Sequence, residues 1–390
     1  METIDPTDTV RELMLDFARQ TGLSPAAPAP ERYLWTDAFA VCNFLELHRR
    51  TGDTRFMDLA TTLAGQVHTT LGRHRPDDPR SGWISGLDEE EGRRHPTAGG
   101  LRIGKKLPER GPDDPVDEEL EWDRDGQYFH YLTQWMHALA ALTRATGDPS
   151  WNRWAMELAV TACARFVHIS PLDGRKRMYW KMSIDLGRPL VPAMGQHDPL
   201  DGLITLHELV MTGRDHPAPG LPDLGGEIAT MEEICNGLAW ETDDPLGMGG
   251  LLTAAWRAAS MAGRGLFPQP DLPARLLRAV LAGLPVFVRS GTLRLPPHYR
   301  LAFRELGLAI GLHALSPLEQ MVEEAAADNV TTPLREPLRR ALSYRPLAGE
   351  IETFWRRPES RSAATWQDHR QINMVMLATS LLPGGYLRLD

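Results

Sequence analysis

The sequence has little cysteine. Of its 390 residues only Cys42, Cys163 and Cys235 are thiols, none in a CxxC pair and each inside a helix-patterned run. That spacing argues against a disulfide framework or a thiol metal site; three buried free thiols are expected. A cytoplasmic protein is the matching expectation. Positive charge is also short: 42 Lys and Arg stand against 52 Asp and Glu, a formal charge of −10. An acidic balance of that size argues against a nucleic-acid backbone or an anionic membrane as partner. No run approaches 18 uncharged apolar residues, and the start METIDPTDTVRELMLDF lacks an apolar signal core. Neither a membrane span nor a leader is expected.

Several catalytic signatures are missing too. There is no βαβ alternation with a glycine-rich phosphate loop, no GxSxG elbow, no HExxH and no DxDD. GGLRIGKKLPER carries GKK without the remaining Walker spacing, which leaves room for an anion contact but not for a nucleotide site. The histidines are scattered rather than set at ligand spacing, so no metal and no other cofactor is expected.

What is present is helix. TVRELMLDFARQTG ends at Gly22 and SPAAPAP breaks it; RYLWTDAFAVCNFLELHRRTG and DTRFMDLATTLAGQVHTTLG follow. Residues 72–122 are rich in Gly, Pro, Asp and Arg and read as a long excursion, with a small hairpin as one option. Helices resume at GQYFHYLTQWMHALAALTRATG and DPSWNRWAMELAVTACARFVH. A second irregular stretch covers about 170–197, and helical patterns recur near 199–211, 226–238, 247–261, 271–285, 299–313, 317–325, 332–343, 347–356 and 369–382.

An internal repeat runs through them. LELHRRTGDTRFMDLA and ALTRATGDPSWNRWAMELA share a helix–TGD–helix form, in which glycine ends one helix and Asp caps the next. LHELVMTGRD reads as a third copy. Fifteen residues before Gly52 and Gly213 stand Asp37 and Asp198, in WTD and QHD; the same count from Gly147 reaches Leu132, so Asp125 falls outside the spacing. Weaker copies are DPLGMGGLLTAAWRAASMAG, YRLAFRELGLAIGLHALSP and WQDHRQINMVMLATSLLPGG, and the small residues of 246–262 and 306–313 suit crowded helices.

Six such hairpins, with Trp, Asp and His at WTDAF, WDRDGQYFHYL, GQHDPLDG and WQDHR, resemble the (α/α)6 barrel of six-hairpin glycosidases and N-acylglucosamine 2-epimerase-like proteins. The resemblance implies an all-α fold, one toroidal domain over 1–390, and a pocket at one mouth lined by helix N-termini and the long loops. It implies a sugar or glycoconjugate as partner.

The leading expectation is a carbohydrate-active enzyme that hydrolyses a glycosidic bond, with Asp125 and Asp198 as the acid/base pair and Asp37 in reserve, since such cleavage commonly takes two carboxyl groups. Each has a plainer reading: Asp125 before Gly126 suits an N-cap, Asp198 before Pro199 suits a helix start, and Asp37 suits a solvated helix face. Asp201 is a candidate sugar contact, or a first-turn acid that complements the helix dipole. Trp35, Trp122, Tyr128, Tyr179 and Trp366 are candidate sugar platforms or core packing. Asp123, His130, His197, Asp368 and His369 are candidate contacts, as is Lys181, which suits an acidic sugar group or a solvated loop face. Sugar epimerisation or isomerisation is the alternative, with His130, His197 and His369 carrying protons. A non-catalytic glycan-binding toroid is a third reading.

Overall fold

The computed structural model describes residues 5–325 and 328–390; the first four residues of the acidic start lie outside the described residues. The described residues are all-α in class, built from helical hairpins with a few two- and three-residue strands. They form two compact units. One comprises Ala18–His48 and Asp53–Gly237; the other comprises residues up to Phe17, Arg49–Gly52 and Leu238–Asp390.

The unit that ends at Gly237 is built on three helix pairs: Leu34–Thr51 with Thr54–Leu71, Phe129–Thr146 with Pro149–Phe166, and Asp198–Asp215 with Gly225–Cys235. The TGD motif makes the first two turns as expected. Gly52 and Gly147 take φ of 69° and 75°, open to glycine at little cost, and Asp53 and Asp148 accept the Arg55 and Ser150 amides. The third copy behaves differently. Gly213 is inside the Asp198–Asp215 helix, whose last turn runs through it to His216. A glycine followed by arginine lets the helix continue, so the fifteen-residue count from Gly213 measures position along a helix, not distance from a turn.

Phe129–Thr146 is the spine of this unit. Phe129, Leu132, Trp135, Met136 and Leu139 are buried, with Pro149–Phe166 and Asp198–Asp215 both packed against the helix. Burial on several sides explains why its apolar residues do not keep to one stripe. Trp135 donates its indole N–H to His68 Nε2 at 3.2 Å. Burial drives the His68 imidazole down to about 3, so it is neutral.

The excursion between residues 72 and 122 carries no hairpin strands. It contains the short helices Glu89–Arg94 and Glu118–Glu121 and two isolated bridges, Arg73 to Trp83 and Leu107 to Arg124. Residues 167–191 contribute to two small antiparallel sheets: Val167–Ile169 with Lys176–Met178, and Gln127–Tyr128 with Lys181–Met182 and Pro189–Val191.

In the other unit Pro245–Gly263 pairs with Leu272–Ser290, and Ala302–His313 lies on the first of these. The expected small-residue crowding is there: a Cβ at Gly249 would fall on the Gly307 carbonyl, and one at Gly311 would meet Gly249. Pro346–Arg356 and Arg370–Leu381 pack on Ala302–His313. Residues 272–294 include a helix long and apolar enough to cross a membrane; here that helix, Leu272–Ser290, packs against Pro245–Gly263 and Thr331–Leu342.

Candidate functional site

The EWDRD stretch before the spine helix is a hub of ion pairs. Asp125 is fully buried. Arg102 and Arg75 donate to its Oδ2 at 3.0 and 3.3 Å, and the Gly104 and Gly126 amides donate to Oδ1 at 2.9 and 3.1 Å. A carboxylate with both oxygens so occupied holds loops together. Asp125 is therefore placed as a structural anchor rather than as the acid expected from the sequence.

Lys181 does not face solvent or a ligand either. It is fully buried and donates to the Glu121 and Arg124 carbonyls at 2.6 and 2.9 Å and to Glu121 Oε1 at 3.0 Å. Burial lowers its pKa, with Glu121 opposing. The ammonium ties the EWDRD turn to the small sheet and has no face for a sugar acid. Gly126 makes that approach possible. Its φ is 148°, and a Cβ there would lie 2.7 Å from the Met182 carbonyl. Gln127 is not on the helix, which starts at Phe129. Its side chain accepts the Leu101 amide and donates to Gly99 and Ile184, sewing the long excursion to the sheet.

Directly after this hub the chain builds an aromatic cluster around His130. Trp35 and Tyr131 meet its ring edge-on with centroids at 6.1 and 4.9 Å, Tyr128 is tilted at 5.3 Å, and Trp180 is near-parallel at 6.3 Å. Trp122, 54% exposed, abuts Trp180 at 4.9 Å and carries the aromatic surface outward. His130 Nδ1 is 3.6 Å from Asp198 Oδ1, brought there by the first residue of the Asp198–Asp215 helix. That distance exceeds a hydrogen bond. His130 Nδ1, Asp198 Oδ2 and Trp35 Nε1 are buried polar atoms without a hydrogen-bond partner. Each such atom carries a cost of about 1–3 kcal/mol, and three in one cluster are what a polar ligand would satisfy.

Beside them the Tyr33 and Tyr131 hydroxyls are 2.7 Å apart. Burial raises both phenols above their usual range, so both keep their protons. Asp37 lies beneath Tyr33. It accepts the Tyr33 amide at 3.0 Å and faces Arg32 at 3.6 Å. Burial pushes its carboxyl up to about 6, against the pull of Arg32. The residue expected as a reserve catalyst thus closes the first turn of Leu34–Thr51.

Asp123 is exposed at the rim; His197 and Asp201 are half-exposed at the start of the Asp198–Asp215 helix. Tyr179 stacks on His168 at 3.9 Å, next to the two-stranded ribbon of 167–178 rather than beside His130. In the other unit Trp366 is buried and stacked on Trp355, core packing instead of a sugar platform. Asp368 is exposed, and His369, also exposed, meets the Phe303 ring. Arg300 is buried, doubly bonded to Glu305, whose Oε2 also accepts from Trp355.

The sequence alone did not single out Tyr33 and Tyr131 as part of the cluster. Tyr131 follows His130 directly, and Tyr33 sits one residue before the Leu34 helix start, so their proximity to WTD and HYL was the available signal. A separate cleft of about 530 Å³ opens in the same unit between the excursion and the 185–188 turn. Arg80 bridges Asp78, Glu109 and Asp185 there, each at 2.7–2.8 Å.

No family model matches the chain, and no curated protein matches it. Among solved structures it is similar to the cellobiose 2-epimerase of Spirochaeta thermophila DSM 6192, at a TM-score of 0.49 and 14% identity over 98% of this chain and 100% of that one.

Proposed function

We propose that the protein is a carbohydrate-processing enzyme that moves a proton on a sugar, an epimerase or isomerase, with His130 as the acid/base. The observation that carries this reading is the His130–Asp198 pair, with Nδ1 and Oδ2 making no hydrogen bond and the His130 ring surrounded by Trp35, Tyr128, Tyr131 and Trp180. Aromatic faces suit the apolar faces of a sugar, and the unbonded atoms suit its hydroxyls.

In the proposed step His130 takes the proton from the carbon next to the open-chain carbonyl. The C–H electron pair moves into the carbon skeleton and the carbonyl π pair onto oxygen, giving an enediolate. Asp198 orients the imidazole and stabilises its protonated form. One hydroxyl of the Tyr33–Tyr131 pair donates to the other, so the pair keeps one further O–H to give to the oxyanion. Return of the proton from His130 to the same carbon, after the enediolate has turned its other face to the imidazole, yields the epimer; its return to the neighbouring carbon, with the hydroxyl of the first carbon giving its proton to the oxyanion, yields the isomer.

Hydrolysis by Asp125 and Asp198 has weaker support, since Asp125 is enclosed by two guanidiniums and two amides. The test is a panel of reducing sugars incubated in D2O and read by NMR. Wild type is expected to place deuterium at the carbon next to the carbonyl, and His130→Asn to do so about 10²–10⁴-fold more slowly. Release of reducing ends without deuterium would mark a hydrolase, and saturable binding without any product would mark a glycan-binding protein.

A further inference from the structure

The cations around the aromatic cluster are almost all committed. Arg75 and Arg102 hold Asp125, Arg110 and Lys181 hold Glu121, and Arg80 holds three acids. Lys105 differs. It belongs to the GKK turn of the long excursion, where Arg75 donates to its carbonyl at 2.6 Å and to the Lys106 carbonyl at 2.8 Å. The backbone is therefore pinned, while its ammonium makes neither an ion pair nor a hydrogen bond to the described residues. It stands over the Tyr33 ring, 5.5 Å from the centroid. Tyr33 in turn is bonded to Tyr131, which abuts His130. The nearest acids do not neutralise it by contact: Asp125 is saturated by its own partners, and Asp123 is at the exposed rim.

We propose that Lys105 is a specificity residue of the His130 site and selects a sugar bearing an anionic substituent. A half-buried ammonium without a counter-ion in contact, resting on an aromatic face, is set to receive one. Burial lowers its pKa, with Asp123 and Asp125 opposing from beyond contact. The ligand's anion lies against Lys105 and the Tyr33 edge, and its carbonyl end reaches His130. Lys181, which the sequence suggested for this role, is closed off inside the hub.

The inference rests on the His130 cluster being a sugar site, and the experiment separates the two. The intact protein is titrated with glucose, glucuronate and glucose 6-phosphate, followed by tryptophan fluorescence, since Trp35 and Trp180 line the cluster. Wild type is expected to bind at least one of the anionic sugars about tenfold more tightly than glucose, the scale of one charge-assisted hydrogen bond. The arm that gains identifies carboxylate or phosphate. Lys105→Met should lose that preference and leave glucose affinity unchanged, and Lys105→Arg should restore most of it. Equal affinity of wild type for glucose and both anions, or a preference that survives in Lys105→Met, overturns the role of Lys105 alone. No binding of any of the three sugars removes this inference together with the sugar-site reading beneath it.

Discussion

His130 Nδ1 and Asp198 Oδ1 face each other at 3.6 Å, from the first turns of two helices packed side by side. Substituting His130 by Asn removes the proposed base and is expected to lower turnover about 10²–10⁴-fold. Asp198→Asn, which keeps the shape but not the charge, should lower kcat while changing KM little, because the carboxylate assists most once the imidazole has gained a proton. Steady-state kinetics on the sugar identified by deuterium exchange, with circular dichroism as the folding control, measure both.

Asp125 predicts the opposite pattern. Breaking a buried ion pair from one side typically costs about 3–5 kcal/mol, so Asp125→Ala should lower the denaturant midpoint strongly. Turnover per folded molecule should stay near wild type. A folded Asp125→Asn protein that binds sugar normally but is inactive would return Asp125 to the set of catalysts.

Asp37 gives a pH dependence with a defined sign. Its carboxyl titrates near 6 in the folded chain and near 3.8 when unfolded, so the folded state holds the proton more tightly. The contribution is present in full below about pH 4 and is lost as pH rises through about 6; the span corresponds to about 3 kcal/mol. Asp37→Asn, which cannot titrate, should remove that slope from urea-denaturation curves taken between these limits.

His68 acts at the same end of the scale with the other sign. Burial holds it neutral down to about 3, against about 6.5 in an unfolded chain. Its share of stability is present above about 6.5 and falls as pH drops toward 3, since the unfolded state gains the proton first. His68→Gln should flatten the acid limb of the stability profile.

Two neighbouring glycines should respond oppositely. Gly249→Ala places a methyl on the Gly307 carbonyl and should destabilise by about 1–3 kcal/mol or more. Gly250 is exposed on the same helix, with nothing within 4 Å of the point where a methyl would sit. Gly250→Ala should stabilise by about 0.5–1 kcal/mol through helix propensity. Thermal unfolding of the two variants makes the comparison.

Much of the architecture was legible along the chain, because caps, glycine turns and apolar spacing act over a few residues. Asp53 and Asp148 cap where TGD says they should, and the irregular stretches near 72–122 and 170–197 are where helices give way. The exception is TGRD, where Gly213 stays helical: a glycine permits a turn but does not by itself impose one.

The sequence by itself determined the all-α class, the hairpin unit and the cast of acids and aromatics near helix starts. Only the tertiary structure decided which of them are spent. Asp125 and Lys181 look like site residues in WDRDGQY and YWKM, yet each is consumed by partners distant in sequence: Asp125 by Arg75 and Arg102, Lys181 by Glu121. His130 Nδ1, Asp198 Oδ2 and Trp35 Nε1 make no hydrogen bond, and the Lys105 ammonium rests on the Tyr33 ring. The physical reason is that a charged or polar side chain becomes available only when folding leaves it unpaired, and pairing is settled by contacts between segments that are far apart along the chain.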